Sequence, residues 1–140
     1  MLPEVVVVHA SALVELLVDT ENASWVHGRL RGCRPHAPAH VDAEVLACLD
    51  RLVATAGLPP TIADDAVRRF AAMPLVRHPL AELVPAAWAG CSAAERSASR
   101  TGDALYVVLA ERLGAPLVTT DARLAPASRV VEVIGRGTKR

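Results

Sequence analysis

The sequence predicts an α/β domain in three layers, with a mostly parallel sheet of about five strands flanked by helices. Three observations lead there. Val5-Val6-Val7-Val8 is a β-branched run without polar alternation, as in a strand covered on both faces. Short apolar runs then alternate with longer amphipathic stretches, which asks for right-handed crossovers between parallel strands. Finally, 140 residues with 52% hydrophobic content form one domain that can bury about two-thirds of its unfolded surface.

Each element has its own reason. Val5 to Val8 is the first strand, followed by a helix from Ser11 to Val18 and a second from Glu21 to Leu30 that ends near Gly32. Arg34 to Ala37 is a weaker strand before Pro38. Val41 to Ala56 is the best helix, with Val41, Val45, Leu49, Leu52, Val53 and Ala56 on one stripe and Gly57 as its stop. Pro59-Pro60 makes a rigid connection. Thr61 with Asp64 then resembles a capping box for a helix to about Ala72. A short strand (Leu75 to Arg77) and a helix (Leu80 to Gly90) follow, and Cys91 to Gly102 is small and polar, a loop or frayed turn. Thr101 or Gly102 caps a helix from Asp103 to Leu113, which Gly114 terminates. Leu117 to Thr119 and Val130 to Ile134 complete the strands, and Gly135 to Arg140 is a loose basic tail.

Composition excludes several classes. Aromatics are only 3%, too few for a reader that stacks splayed bases on exposed rings, and Trp25 and Trp88 are expected in a core or a dimer interface. Lysine plus arginine balances aspartate plus glutamate at 15 each, so no net field draws phosphate. All cations but Lys139 are arginine, whose fork suits carboxylate or phosphate pairing. Cys33, Cys48 and Cys91 are odd in number and lack CxxC spacing, so they read as reduced structural residues. No basic leader precedes the first apolar run and no stretch reaches membrane-spanning length, so a cytosolic protein is expected. P-loop and GxGxxG patterns are absent too, which disfavours nucleotide enzymes.

The chemistry lies in acids near strand ends. In a doubly wound sheet, ligands bind beyond the carboxyl ends of strands, where strand order reverses. His9 follows the first strand, Asp121 follows a later one, and Asp103 opens the helix leading into that later strand. Glu44 falls beside the apolar stripe of its helix, where it can face a cleft. Each has an ordinary reading as well. Asp103 suits a helix dipole, Asp121 an N-cap, and Glu44 a solvated flank. Their convergence is the stronger signal. Like charges about 4 Å apart repel by roughly 4 kcal/mol at an effective dielectric of 20, and a divalent ion removes that cost. Oxygen-only ligation suits Mg²⁺ or Mn²⁺, whose bound water can attack a phosphodiester.

The sequence carries His9-Ala10-Ser11-Ala12-Leu13-Val14, then Val41-Asp42-Ala43-Glu44, Asp103-Ala104-Leu105-Tyr106, and Thr119-Thr120-Asp121-Ala122-Arg123-Leu124. In order and spacing these resemble the PIN-domain nucleases of the VapC toxin type. That resemblance implies a metal-dependent endoribonuclease, usually a homodimer, neutralised by a small VapB-type antitoxin. It implies Glu44, Asp103 and Asp121 as metal-site acids, and Ser11 and Thr119 as polar groups that orient ligands or water.

The pattern breaks at residue 9, where the family carries an acid. A neutral imidazole removes one negative charge and offers nitrogen, which Mn²⁺ tolerates better than Mg²⁺. A protonated His9 would repel a cation and pair with the acids instead. Three readings stay open: a substituted metal ligand in an active enzyme, a weakened domain that still binds antitoxin or RNA, or an inactivating change. Gly102 also stands where the family commonly has an aromatic, after an approach several residues longer than usual. Arg96 and Arg100 in that approach could touch phosphate near the site. His36 and His40 are split by Pro38 and make a poor zinc pair, and His27 and His78 read as surface residues. An unrelated phosphoryl-transfer enzyme is disfavoured, because His9 sits where its strand-end aspartate belongs.

Overall fold

The structure is a computed structural model that describes residues 2–98 and 100–135. Five strands form one sheet in the order β3-β2-β1-β4-β5, with β1 Glu4–Val8, β2 Cys33–Pro38, β3 Val76–His78, β4 Leu117–Thr119 and β5 Val131–Val133. Every pairing is parallel. The chain runs outward from β1 to β2 to β3, then returns across the sheet to β4 and β5. Strand order therefore reverses between β1 and β4.

Seven helices connect the strands. α1 (Ala10–Leu17), α2 (Ala23–Leu30), α3 (Val41–Thr55) and α4 (Pro60–Ala72) link β1 to β3, and α1 packs on α2, α3 and α4. α5 (Val84–Gly90), α6 (Ala93–Ser97) and α7 (Thr101–Leu113) make the return, and α7 packs on β1, β2 and β4. Right-handed crossovers in opposite directions place the two groups on opposite faces, which gives the three layers expected from sequence.

The core follows from the patterning. Val6, Val7 and Val8 are fully buried, as are Leu13, Val45, Leu117 and Val118. Tyr106 is the largest fully buried side chain. Of the stripe on α3, Val41, Val45 and Leu49 are buried. Trp25 and Trp88 do not fill the core; they are 57% and 62% exposed. Alanine, valine and leucine already close the interior, leaving the indoles outside. On the sheet's amino-terminal side, Arg29 of α2 ties Glu4 of β1 to Glu132 of β5.

Three local expectations give way to the structure. The helix expected at Thr61 begins at Pro60 with Pro59 as N-cap and no side-chain cap, so the Thr61–Asp64 capping box does not form. Proline at the first helical position supplies the φ angle and has no N–H of its own to leave unpaired there. Cys91 to Gly102 is not loop throughout. Ser92 and Glu95 make a reciprocal capping box that starts α6, a signature present in the sequence as Ser-x-x-Glu. The next helix starts at Thr101, so Gly102 lies inside its first turn and caps nothing. Of the basic tail, residues 136–140 lie outside the described residues.

Leu13 is wholly buried on α1, whereas Leu46 on α3 is 51% exposed. Leu13→Ala is expected to lower unfolding stability by about 2–5 kcal/mol. Leu46→Ala should change it by about 0.5 kcal/mol or less. Urea denaturation of both variants measures the contrast.

Candidate active site

Sequence puts His9 one residue past β1 and Asp121 two past β4, so both leave the sheet at its reversal point. The ladder continues there: the His9 amide donates to the Val118 carbonyl at 2.9 Å. His9 is 7% exposed and Thr119 wholly buried, the two buried polar side chains among the described residues. His9 Nε2 lies 3.0 Å from Asp103 Oδ1. A carboxylate only accepts, so the proton belongs on Nε2. Nδ1 lies 2.8 Å from Ser11 Oγ and 3.1 Å from Thr119 Oγ1. Ser11 and Thr119 are themselves 3.1 Å apart. Backbone amides pin both hydroxyls: Thr120 N–H donates to Ser11 Oγ at 3.3 Å and Asp121 N–H to Thr119 Oγ1 at 3.0 Å. Both imidazole nitrogens are thereby engaged, and the ring packs edge-on against Tyr106 with centroids 4.8 Å apart.

The other acids enter from separate elements. Asp103 stands in the first turn of α7, the position a helix dipole favours. Its Oδ1 meets His9, while Oδ2 has no hydrogen-bond partner among the described residues. Asp121 caps the 3₁₀ turn Ala122–Ala127 by accepting from the Arg123 amide at 3.0 Å. The Arg123 guanidinium also grips it bidentately, Nε to Oδ1 at 2.9 Å and Nη2 to Oδ2 at 2.7 Å. This grip holds the Asp121 carboxyl below the usual carboxylate range. Glu44 on α3 accepts from the Tyr106 hydroxyl at 2.5 Å. Burial, then the Glu44 charge, push the Tyr106 phenol up, so it stays a donor. His40 closes the arc: its Nε2 donates to the Gly102 carbonyl at 3.0 Å and lies 3.4 Å from Glu44 Oε1. A side chain at Gly102 would meet His40 Nε2 at 3.8 Å and Glu44 Oε2 at 3.9 Å. A Cβ there would make only ordinary contact with these groups, at a position where the family commonly has an aromatic.

These contacts form one electrostatic neighbourhood. Tyr106 feels both Glu44 and Asp103, Asp121 feels His9, and Arg123 feels Asp103. The PIN-domain family model matches residues 6–130. The chain belongs to the PIN-domain family. Ribonuclease VapC3 of Mycobacterium tuberculosis is 44% identical over 134 residues, covering 95% of this chain and 94% of that protein. Ribonuclease VapC12 of the same organism is 38% identical over 120 residues, covering 86% and 89%. The resemblance is therefore to the VapC-type branch.

Within this PIN domain, Glu44, Asp103, Asp121, His9, Ser11 and Thr119 gather at one edge. Arg100 lines a pocket with Asp103. Arg96 is drawn elsewhere, its guanidinium 4.7 Å from the Trp88 ring and donating to the Cys91 carbonyl at 2.6 Å. Sequence reasoning gave no role to Arg123, His40 or the Tyr106 hydroxyl. The signals were there, since Arg123 is two residues past Asp121 and His40 is one helical turn before Glu44. His36 does not pair with His40; it stacks on His78, with Nδ1 and Nε2 2.8 Å apart.

Asp121 carries a depressed value, so its pairing contributes stability above the ordinary carboxylate range and loses it as pH falls through the folded value. Arg123→Ala should raise the Asp121 pKa toward the ordinary value and remove that acid sensitivity. Carboxyl-carbon NMR titration reads the change directly.

Proposed function

We propose that this PIN domain is the endoribonuclease toxin of a toxin–antitoxin pair, hydrolysing RNA phosphodiesters at Glu44, Asp103 and Asp121 with Mg²⁺ or Mn²⁺. The carrying observation is that Asp103 meets His9, whose charge also bears on Asp121, while Glu44 and Asp103 both bear on Tyr106, in a chain 44% identical to a protein named a ribonuclease.

The family implies a divalent cation, and this donor set fits one kind of site. No three His, Cys, Asp or Glu side chains form a ligand cage among the described residues. Mg²⁺ commonly dispenses with such a cage, taking one or two carboxylates while waters and substrate phosphate complete its shell. Asp103, with Oδ2 unpartnered, and Asp121 are the two acids that would hold the ion, with Glu44 beside them. When bound, the ion activates water and neutralises charge on the phosphoryl oxygens.

The chain's own residues do the positioning. His9 fixes Asp103 through Nε2–H and is itself fixed by Ser11 and Thr119. Tyr106 and His40 hold Glu44 at the rim. Arg123 covers the charge of Asp121 until a ligand arrives. A VapB-type antitoxin belongs to the same reading, since an acidic crevice of this kind accepts a partner's arginine. So do a homodimer and a cytoplasmic location. No helix among the described residues is long and apolar enough to cross a membrane.

A second reading has its own observation. With both His9 nitrogens engaged, residue 9 offers no ligand where the family has an acid. The chain would then keep the fold and partner surfaces with little hydrolysis. Cleavage of a labelled single-stranded RNA decides between them. The ribonuclease reading expects cutting with Mg²⁺ or Mn²⁺, none with EDTA, and a loss of about a hundredfold or more in Asp103→Asn. Cleavage that survives EDTA and Asp103→Asn contradicts the mechanism. An inert wild type that His9→Asp turns into a nuclease establishes the second reading.

A further inference from the structure

Beside the carboxylates lies a pocket of about 220 Å³ between the first turns of α7 and the 3₁₀ turn after β4. Arg100 and Arg123 stand at it with Glu95 and Asp103, and Val107 and Pro126 are part of its apolar wall. We propose that this pocket seats one nucleotide of the RNA next to the scissile bond, with Arg100 and Arg123 taking its phosphate. The proposal rests on the ribonuclease reading and names the residues that bind substrate outside the carboxylates.

The two arginines are available in different ways. The Arg100 side chain makes no hydrogen bond or ion pair among the described residues, and its charge bears on Glu95. Arg123 spends Nε and one Nη2 proton on Asp121, which locks the plane of its guanidinium. The two Nη1 protons and the second Nη2 proton remain for an anion. A planar fork held in place this way loses less freedom on binding phosphate than a free lysine does. Arg123 is also 70% exposed, so a strand can reach it.

Size and lining fit a single strand. The pocket has room for the base and ribose of one unstacked nucleotide, the form in which RNA presents its bases outside a helix, with the phosphate left at the arginines on its rim. Its wall is aliphatic, so the ribose and base lie against Val107 and Pro126 by van der Waals contact, while the guanidinium planes offer the flat stacking surfaces. The adjacent acids would repel the phosphate, and the arginines offset that charge at the distance of one nucleotide. Arg96, committed to Trp88 and the Cys91 carbonyl, takes no part.

Fluorescence anisotropy tests this with a labelled ten-nucleotide single-stranded RNA of mixed sequence, in EDTA to prevent cleavage, across a salt series. The expected result is that Arg100→Gln and Arg123→Gln each weaken binding several-fold. Each should also flatten the slope of log affinity against log salt by about 0.7, the value for one lost phosphate contact on a single strand. Arg68→Gln on α4 should leave affinity and slope unchanged. Thermal melts confirm that all three variants fold. Slopes that stay the same in both pocket variants overturn the subsite, as does an absence of wild-type binding. Poly-glutamate displacing the probe as well as unlabelled RNA would assign the pocket to an acidic peptide and overturn it too. Cleavage assayed in parallel with Mn²⁺ keeps the readings apart, because a protein that still cuts leaves the ribonuclease reading standing.

Discussion

The His9–Asp103 contact is the constraint on which the site depends. It spans 3.0 Å between residues 94 positions apart, joining the end of β1 to the start of α7. Its other side is anchored to Ser11 and Thr119, and through them to backbone amides after β4. A buried polar network of this kind holds together only when every member is satisfied, and here each nitrogen and hydroxyl has a partner. The imidazole thus fixes the geometry at the reversal point, while the apolar strands beneath it supply the rigidity.

Each acid at this edge has a donor from the chain itself. Asp103 has His9, Asp121 has Arg123, and Glu44 has Tyr106 and His40. Each carboxylate is covered by a donor from the chain itself, which removes most of the repulsion that convergence would otherwise cost. A divalent ion entering this crevice must compete with those donors. An ion that brings a substrate phosphate with it competes better, since the phosphate supplies oxygen ligands that the chain lacks. Metal affinity and RNA binding are coupled in this account, and Arg123 stands between them by touching both Asp121 and the neighbouring pocket.

Much of this could be read from the chain. The unbroken valines of β1, the first half of the stripe on α3 and the αL Gly114 that ends α7 act through local physics and lie where patterning puts them, while Ala56 at the far end of the stripe is exposed. His9, Asp103 and Asp121 follow from strand ends and a helix start, so their placement at one edge of the sheet was foreseeable, although their roles at a metal rest on the family resemblance. The cross-partners were not. Whether Tyr106 buries its ring and spends its hydroxyl on Glu44 depends on how the first turns of α3 and α7 are set against each other, which no local pattern encodes. Arg96 and Arg100 look equivalent in sequence. Their roles diverge only because α6 turns one toward Trp88 and leaves the other at the pocket. The Ser92 capping box that starts α6 was visible and outweighs the small, polar composition of its surroundings.

If His9 stands in the acid's place and couples the site internally, calorimetric titration of Mn²⁺ into the wild-type chain and His9→Asp will show it. Markedly tighter Mn²⁺ binding is expected in His9→Asp, because that change supplies a carboxylate and releases Asp103 from its imidazole partner. Equal affinity in the two proteins would contradict it and mean that residue 9 does not govern the charge of the crevice.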